Sequence, residues 1–226
     1  TSIEDVNNWL LAEAGFTGTV QLIGTWPAGY AINGAIAEYK SALYWLNTLA
    51  FQSRAWFKLA GGSARLIYRP DVLTAVKTID ACRLSNGVKA HSRRKTDYDE
   101  VVNDISILYN RDYSKEAGAE AYRSVVPDRD TTSIGIYGRR ERPELFQFDF
   151  VTGDDMAADL LAFYLGWYKD RHWLHEFDTF LYDAELEFGD TVTLGFTGAL
   201  VGQLLESRFS PGSSTASDTI GLVTVV

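Results

Sequence analysis

The chain has 226 residues, 46% hydrophobic, 13% aromatic and 23% charged, which describes a globular protein with a true core and excludes a disordered chain. Thirty acids against 21 bases give a formal charge of −9, which opposes tight binding to nucleic acid or to an anionic membrane. Cys82 is the single cysteine, so no intrachain disulfide can form and a reducing compartment fits.

The opening segment predicts a short helix: Ser2 caps it, Asp5 takes the capping-box position, Val6, Trp9 and Leu10 form one stripe, and Gly15 stops it. Residues 2–14 carry Glu4, Asp5 and Glu13 and no basic cluster, so no signal peptide is expected. A first residue Thr1 and an apolar last stretch, 222–226, lead us to expect a piece of a longer protein. Residues 16–37, rich in glycine, read as loop with one strand. A second helix is predicted over 39–51 from Tyr39, Leu43, Leu46 and Ala50. Trp56 to Leu59 and Ala64 to Arg69 then read as a hairpin turning at Gly61-Gly62 and ended by Pro70.

Residues 86–100 are polar and charged, and this stretch is the expected boundary between a helix-plus-hairpin region (1–90) and a β-rich domain (91–226). Beyond it Ile105, Ile107 and Tyr109 alternate with Asp104, Ser106 and Leu108, the period of a half-buried strand. Strands are also predicted at 133–137, at 145–150 with Phe146, Phe148 and Phe150 on one face, and at 173–182. Between the last two, Met156, Leu160, Phe163 and Trp167 mark a helix near 155–169, capped by Thr152 or Asp154. It is the most apolar helix candidate, yet it contains Asp159, and no run reaches the roughly 18 apolar residues of a membrane span. Glu187 to Asp190 reads as a turn before a strand at 191–196, and residues 201–209 with 219–226 read as a long hairpin. The fold class is therefore α+β, with mainly antiparallel strands and an inserted helix.

His172 and His175 are the best metal candidates by spacing, with Glu176 and Asp178 close by. The strand pattern sets the two histidines on opposite faces, so a packed or hydrogen-bonded histidine is the expectation. The pairs Glu176 with Asp178 and Glu185 with Glu187 share strand faces, but nothing in the pattern raises one acid of either pair as hydrolysis of a glycoside requires. Cys82 sits in no cysteine-enzyme signature and reads as a structural thiol. No Gly-x-Ser-x-Gly elbow, P-loop or dinucleotide fingerprint occurs. The basic run from Lys89 to Lys95 lacks aromatic interleaving and reads as a solvated linker. No catalytic, cofactor-binding or metal-ligating residue is expected, nor any cofactor.

Val101-Val102-Asn103-Asp104-Ile105-Ser106-Ile107-Leu108-Tyr109-Asn110 resembles the strand that opens a hub domain in the hub and tip proteins of bacteriophage tails. Asp130-Thr131-Thr132-Ser133-Ile134-Gly135-Ile136-Tyr137-Gly138 resembles their Asp-x-x-Ser-x-x-x-Tyr-Gly segment. The helix at 155–169, the strand from Trp173 and Leu186-Glu187-Phe188-Gly189-Asp190-Thr191-Val192 follow in that family's order. The likeness covers about residues 39–196. It implies a non-enzymatic structural role in a phage or prophage virion tail, made in the bacterial cytoplasm. It further implies self-association, as a homotrimeric ring, and contact with other tail proteins linking the tube to host-contacting parts, without a membrane anchor. A tail-associated cell-wall hydrolase and a carbohydrate-binding module are the competing readings.

Overall fold

The computed structural model describes residues 2–36, 38–60, 62–82, 84–85, 88–89, 91–179, 185–205, 208–210 and 217–225. The first stretch runs α1 (Ile3–Glu13), β1 (Val20–Ile23), α2 (Ala42–Gln52), β2 (Ala55–Ala60) and β3 (Ser63–Tyr68). The second holds β4 (Lys77–Ile79), β5 (Leu84–Ser85), β6 (Val88–Lys89) and β7 (His91–Lys95). Next come β8 (Asp104–Arg111), β9 (Tyr122–Arg129), α3 (Thr131–Tyr137) and α4 (Asp154–Tyr168). The last stretch has β10 (Trp173–Thr179), β11 (Thr191–Leu194), β12 (Leu200–Leu204), β13 (Arg208–Ser210) and β14 (Ser217–Val225). The result is the α+β class that the sequence pattern predicts.

The chain forms two compact units, and each is drawn from two stretches: 1–70 with 101–170, and 71–100 with 171–226. These units follow a different line from the single division at 90/91 expected from composition. The polar stretch placed there as a linker contains β7, which pairs antiparallel with β10 from Trp173↔Lys95 to Phe177↔His91. Composition alone does not separate a linker from an exposed edge strand, because both are polar and charged.

In the first unit the sheet order is β1-β3-β2, parallel between β1 and β3 and antiparallel between β2 and β3. Ser2 caps α1 by accepting the Asp5 N–H, and Gly15 turns out of the helix at φ +81°, a conformation that suits glycine. Ser41 does the same work for α2 through the Tyr44 N–H. Ala64, Leu66 and Tyr68 are buried as their alternation predicts. A second antiparallel pair, β8–β9, packs on α4 and buries Ile105, Ile107 and Tyr109 on one face.

Three predictions in this unit fail locally. Residues 133–137 are helical: Asp130 accepts the Ser133 N–H as N-cap, and Gly138 ends α3 at φ +75°. Fully buried Asn103 then clamps both ends, donating to Ser133 Oγ at 3.1 Å and to the Gly138 carbonyl at 2.9 Å. Residues 143–146 form a 3-10 turn, and in place of a strand the chain after it meets β8 at an isolated bridge, Leu108↔Gln147, with the Phe148 N–H donating to the Leu108 carbonyl at 2.8 Å. Phe146, Phe148 and Phe150 are nonetheless all buried. The N-cap of α4 is Gly153, with no side-chain cap, so neither Thr152 nor Asp154 plays that part.

The second unit holds a mostly antiparallel sheet in the order β4-β11-β12-β14-β10-β7, with β4 parallel to β11 and β13 also on β14. The strands β12 and β13 keep one continuous register along β14, from Gly202↔Val225 through Leu204↔Val223 to Arg208↔Thr219 and Ser210↔Ser217. This is the long hairpin that the sequence predicts. The turn at Glu187 closes through the Glu187 N–H on Asp190 Oδ2 at 2.8 Å. Residues 180–182 of the strand expected at 173–182 lie outside the described residues. The core here is small: Ile79, Cys82, Phe177, Leu186, Val192, Leu194 and Leu204, with Phe196 against it.

Candidate functional site

In the first unit α2 and the 144–149 segment wall a cleft of ≈ 500 Å³, lined by Tyr44, Asn47, Arg111, Tyr122, Glu144 and Asp149 among others. Asp149 organises its floor: Oδ1 receives Arg111 Nη1 at 2.9 Å and the Tyr122 hydroxyl at 2.6 Å. Burial first, then the hydrogen bond to Asp149, pushes the Tyr122 phenol well above its ordinary range, so it stays a donor. On the α2 wall the Lys40 ammonium sits 4.3 Å from the Tyr44 ring centroid and is bonded to Glu38 at 2.8 Å.

Beneath that wall lies a buried cationic cluster that the sequence pattern does not disclose. Arg54 follows α2 in a left-handed conformation, φ +58°, and is 1% exposed. Its guanidinium lies 3.9 Å from the Phe163 ring and 5.1 Å from Tyr68, and its Nη1 reaches Asp159 Oδ2 at 3.3 Å. The Tyr30 hydroxyl donates to the same carboxylate oxygen. Arg69, 5% exposed, is flanked by Trp56, Phe163 and Trp167, and its burial lowers its affinity for the proton. Asp159, which breaks the apolar run of α4 in the sequence, is thus the anion that a buried arginine requires.

In the second unit His175 is 1% exposed and stacks on His91, with rings nearly parallel at 7° and centroids 5.2 Å apart. His91 Nε2 and His175 Nδ1 are 2.9 Å apart, so one donates and the other accepts. Burial, followed by the charges of His91 and Arg93, pushes the His175 imidazole down from its ordinary value of 6.5. His172 lies just before β10 and donates its N–H to Thr96 Oγ1 at 3.1 Å. The histidine that meets His175 is therefore His91, from another strand and 84 residues away, and no local spacing could have shown it.

The acid pairs named from the sequence sit at exposed or half-buried positions. Glu176 is exposed and Asp178 half-buried on β10. Glu185 is ion-paired with Lys77 at 2.8 Å, which holds its carboxyl below the usual range. Asp112 is pushed down to about 2, by the Ser114 hydroxyl first and then by Arg123. Hydrolysis of a glycoside needs a carboxyl moved the other way. Cys82 is a buried free thiol in the core. Among the described residues no three His, Cys, Asp or Glu side chains converge as a metal would require, and no described helix is long and apolar enough to cross a membrane.

No protein-family model matches the sequence, and no curated protein matches it. Solved structures do match the fold. Aligned over 100% of its length, the chain superposes on 47% of a chain in the virion of the native gene transfer agent particle, with TM-score 0.72 and 13% identity. It superposes likewise on 66% of a tail protein from Neisseria meningitidis MC58, with TM-score 0.66 and 12% identity. The 43 kDa tail protein of prophage MuSo2 from Shewanella oneidensis is covered over 64% of its length, with TM-score 0.52 and 14% identity. The chain thus spans about half to two-thirds of the length of these proteins, and at such identities it is the fold that is shared.

Proposed function

We propose that this chain, which carries the fold of phage and prophage tail proteins, is a structural part of a tail-tip or baseplate-hub protein. Its work there is mechanical: the parent protein closes into a ring, most simply of three copies, that joins the tail tube to host-contacting parts and binds other tail proteins. The observation that carries this reading is that tail proteins match the fold over the whole chain and not over one motif. The role places the protein in the virion tail after synthesis in the bacterial cytoplasm, and it calls for no catalytic group.

A ring needs surface that stays apolar after folding. The face around Phe146, Phe148 and Phe150, apolar in sequence, cannot serve, since these side chains are buried within their own unit. Leu22 and Ile23 on β1 and Leu59 on β2, the two edges of the three-stranded sheet, are 37%, 43% and 54% exposed and are better placed. Light scattering on the full-length parent protein tests the proposal. A trimer mass, reduced to a monomer by Ile23→Glu without loss of the folded signal, is expected. A monomer at every concentration, or turnover of peptidoglycan, overturns it.

A further inference from the structure

The strand β7 ends the large sheet of the second unit, and among the described residues no strand pairs with its outer edge. From Ser92 to Lys95 it is exposed. Strand alternation puts His91, Arg93 and Lys95 on one face with Trp173, His175 and Phe177, and puts Ser92 and Arg94 on the other. Along the first face the environment changes over a few residues. Phe177 and His175 are buried, whereas Arg93 and Lys95 stand in solvent with both cations 5.0 Å from the Trp173 ring centroid. No carboxylate pairs with Arg93, Arg94 or Lys95 among the described residues, although the whole chain carries nine more acids than bases.

We infer that the β7 edge is a docking strand for an acidic, extended polypeptide segment of a partner protein, which adds to the sheet beside His91–Lys95. Three features select this occupant. An open edge offers unpaired backbone donors and acceptors, which an added strand satisfies and a compact anion does not. Arg93 and Lys95 stand about 7 Å apart along the strand, the spacing at which an added strand presents alternate side chains, so acids at every second position fall opposite both cations. Trp173 holds the two cations over one ring and leaves a flat apolar surface for the aliphatic stems of those acids. The same charges forbid the simplest wrong partner: a second β7 would set cation against cation.

The test is titration of the intact chain with a synthetic peptide of about ten residues alternating glutamate and valine, a length that spans the strand. Saturable binding is expected, with slowed amide exchange at Arg93 and Lys95, whose N–H groups face away from β10 because that of Thr96 bonds the His172 carbonyl, and a change in fluorescence that Trp173→Phe removes. The paired change Arg93→Gln with Lys95→Gln, both on exposed sites, is expected to weaken binding about tenfold or more. The same peptide N-methylated at alternate amides keeps its charge and cannot extend the ladder, and it is expected not to bind. Absence of binding by the unmodified peptide overturns the inference and leaves the edge cations as a guard against aggregation. Equal binding of the N-methylated peptide, or of single-stranded oligodeoxythymidine, also overturns it, since either result means a charge patch and no docking strand.

Discussion

Residues 1–70 with 101–170 bury two arginines among aromatic rings, whereas the unit of 71–100 with 171–226 buries one histidine stacked on another beside a short list of apolar side chains. Both units thus take a basic group out of water, and they offset the cost differently. Arginine keeps its charge at any working pH, so Arg54 must be met by a carboxylate and by ring faces. Histidine can shed its proton, so His175 is tolerated by becoming neutral. The first solution is insensitive to pH and sensitive to substitution. The second is the reverse.

The largest effect separating the units should come from Phe148→Ala. This fully buried ring packs on Phe51, Phe146 and Tyr164, and its loss should cost about 3–5 kcal/mol. Urea denaturation followed by near-ultraviolet circular dichroism should show the first unit melting early. If the whole chain unfolds in one unchanged transition, the aromatic cluster is not what holds this unit together.

Next in size is the buried arginine. Asp159→Ala removes the carboxylate 3.3 Å from the buried Arg54 guanidinium and should cost about 2–3 kcal/mol, below the range for a wholly buried pair because Asp159 is itself 42% exposed. The double change Arg54→Met with Asp159→Ala should recover part of that loss, because no charge remains to be desolvated. A double variant less stable than Asp159→Ala alone would mean that the cation–ring contacts outweigh the ion pair.

Asn103→Ala removes the clamp on α3 together with the Oδ1 acceptor that the Arg140 N–H reaches at 2.8 Å. About 2 kcal/mol is expected. Amide exchange should quicken across residues 131–138 before it does in α4; uniform quickening would show that the clamp holds more than this helix.

The smallest expected effect is a pH slope confined to the second unit. His175 has a folded proton affinity below its unfolded one, so the stability linked to it is present above about pH 6.5, where both states are neutral. It falls as pH drops, because the unfolded chain takes the proton more readily, and the loss is complete below the folded value. Thermal unfolding between pH 7 and about pH 5 should therefore show the second unit weakening first, and His175→Gln should flatten the slope. A slope unchanged by that substitution would assign the pH dependence to other groups.

Much of this fold was legible along the chain. The opening helix with its Ser2 cap, the β2–β3 hairpin, the alternation of β8, the stripe of α4 and the long closing hairpin all follow from local chemistry, since caps, turns and period-two or period-3.6 patterns act between residues a few places apart. What escaped depended on distant partners. Ile134, Ile136 and Tyr137 favour a strand by propensity, and a capping aspartate with a buried asparagine from 30 residues upstream makes them a helix. A charged run reads as a linker until β10 pairs with it, and His91 and His175 stand 84 residues apart until β7 and β10 lie side by side. Asp159 was visible only as a blemish in an apolar helix. By itself the sequence determined the α+β class and most of its elements, because short-range sterics and hydrogen bonds decide those. Tertiary structure decided that two stretches build each unit, where each buried cation finds its counter-charge, and which strand edge stays open, because these are matters of long-range pairing that no local pattern encodes.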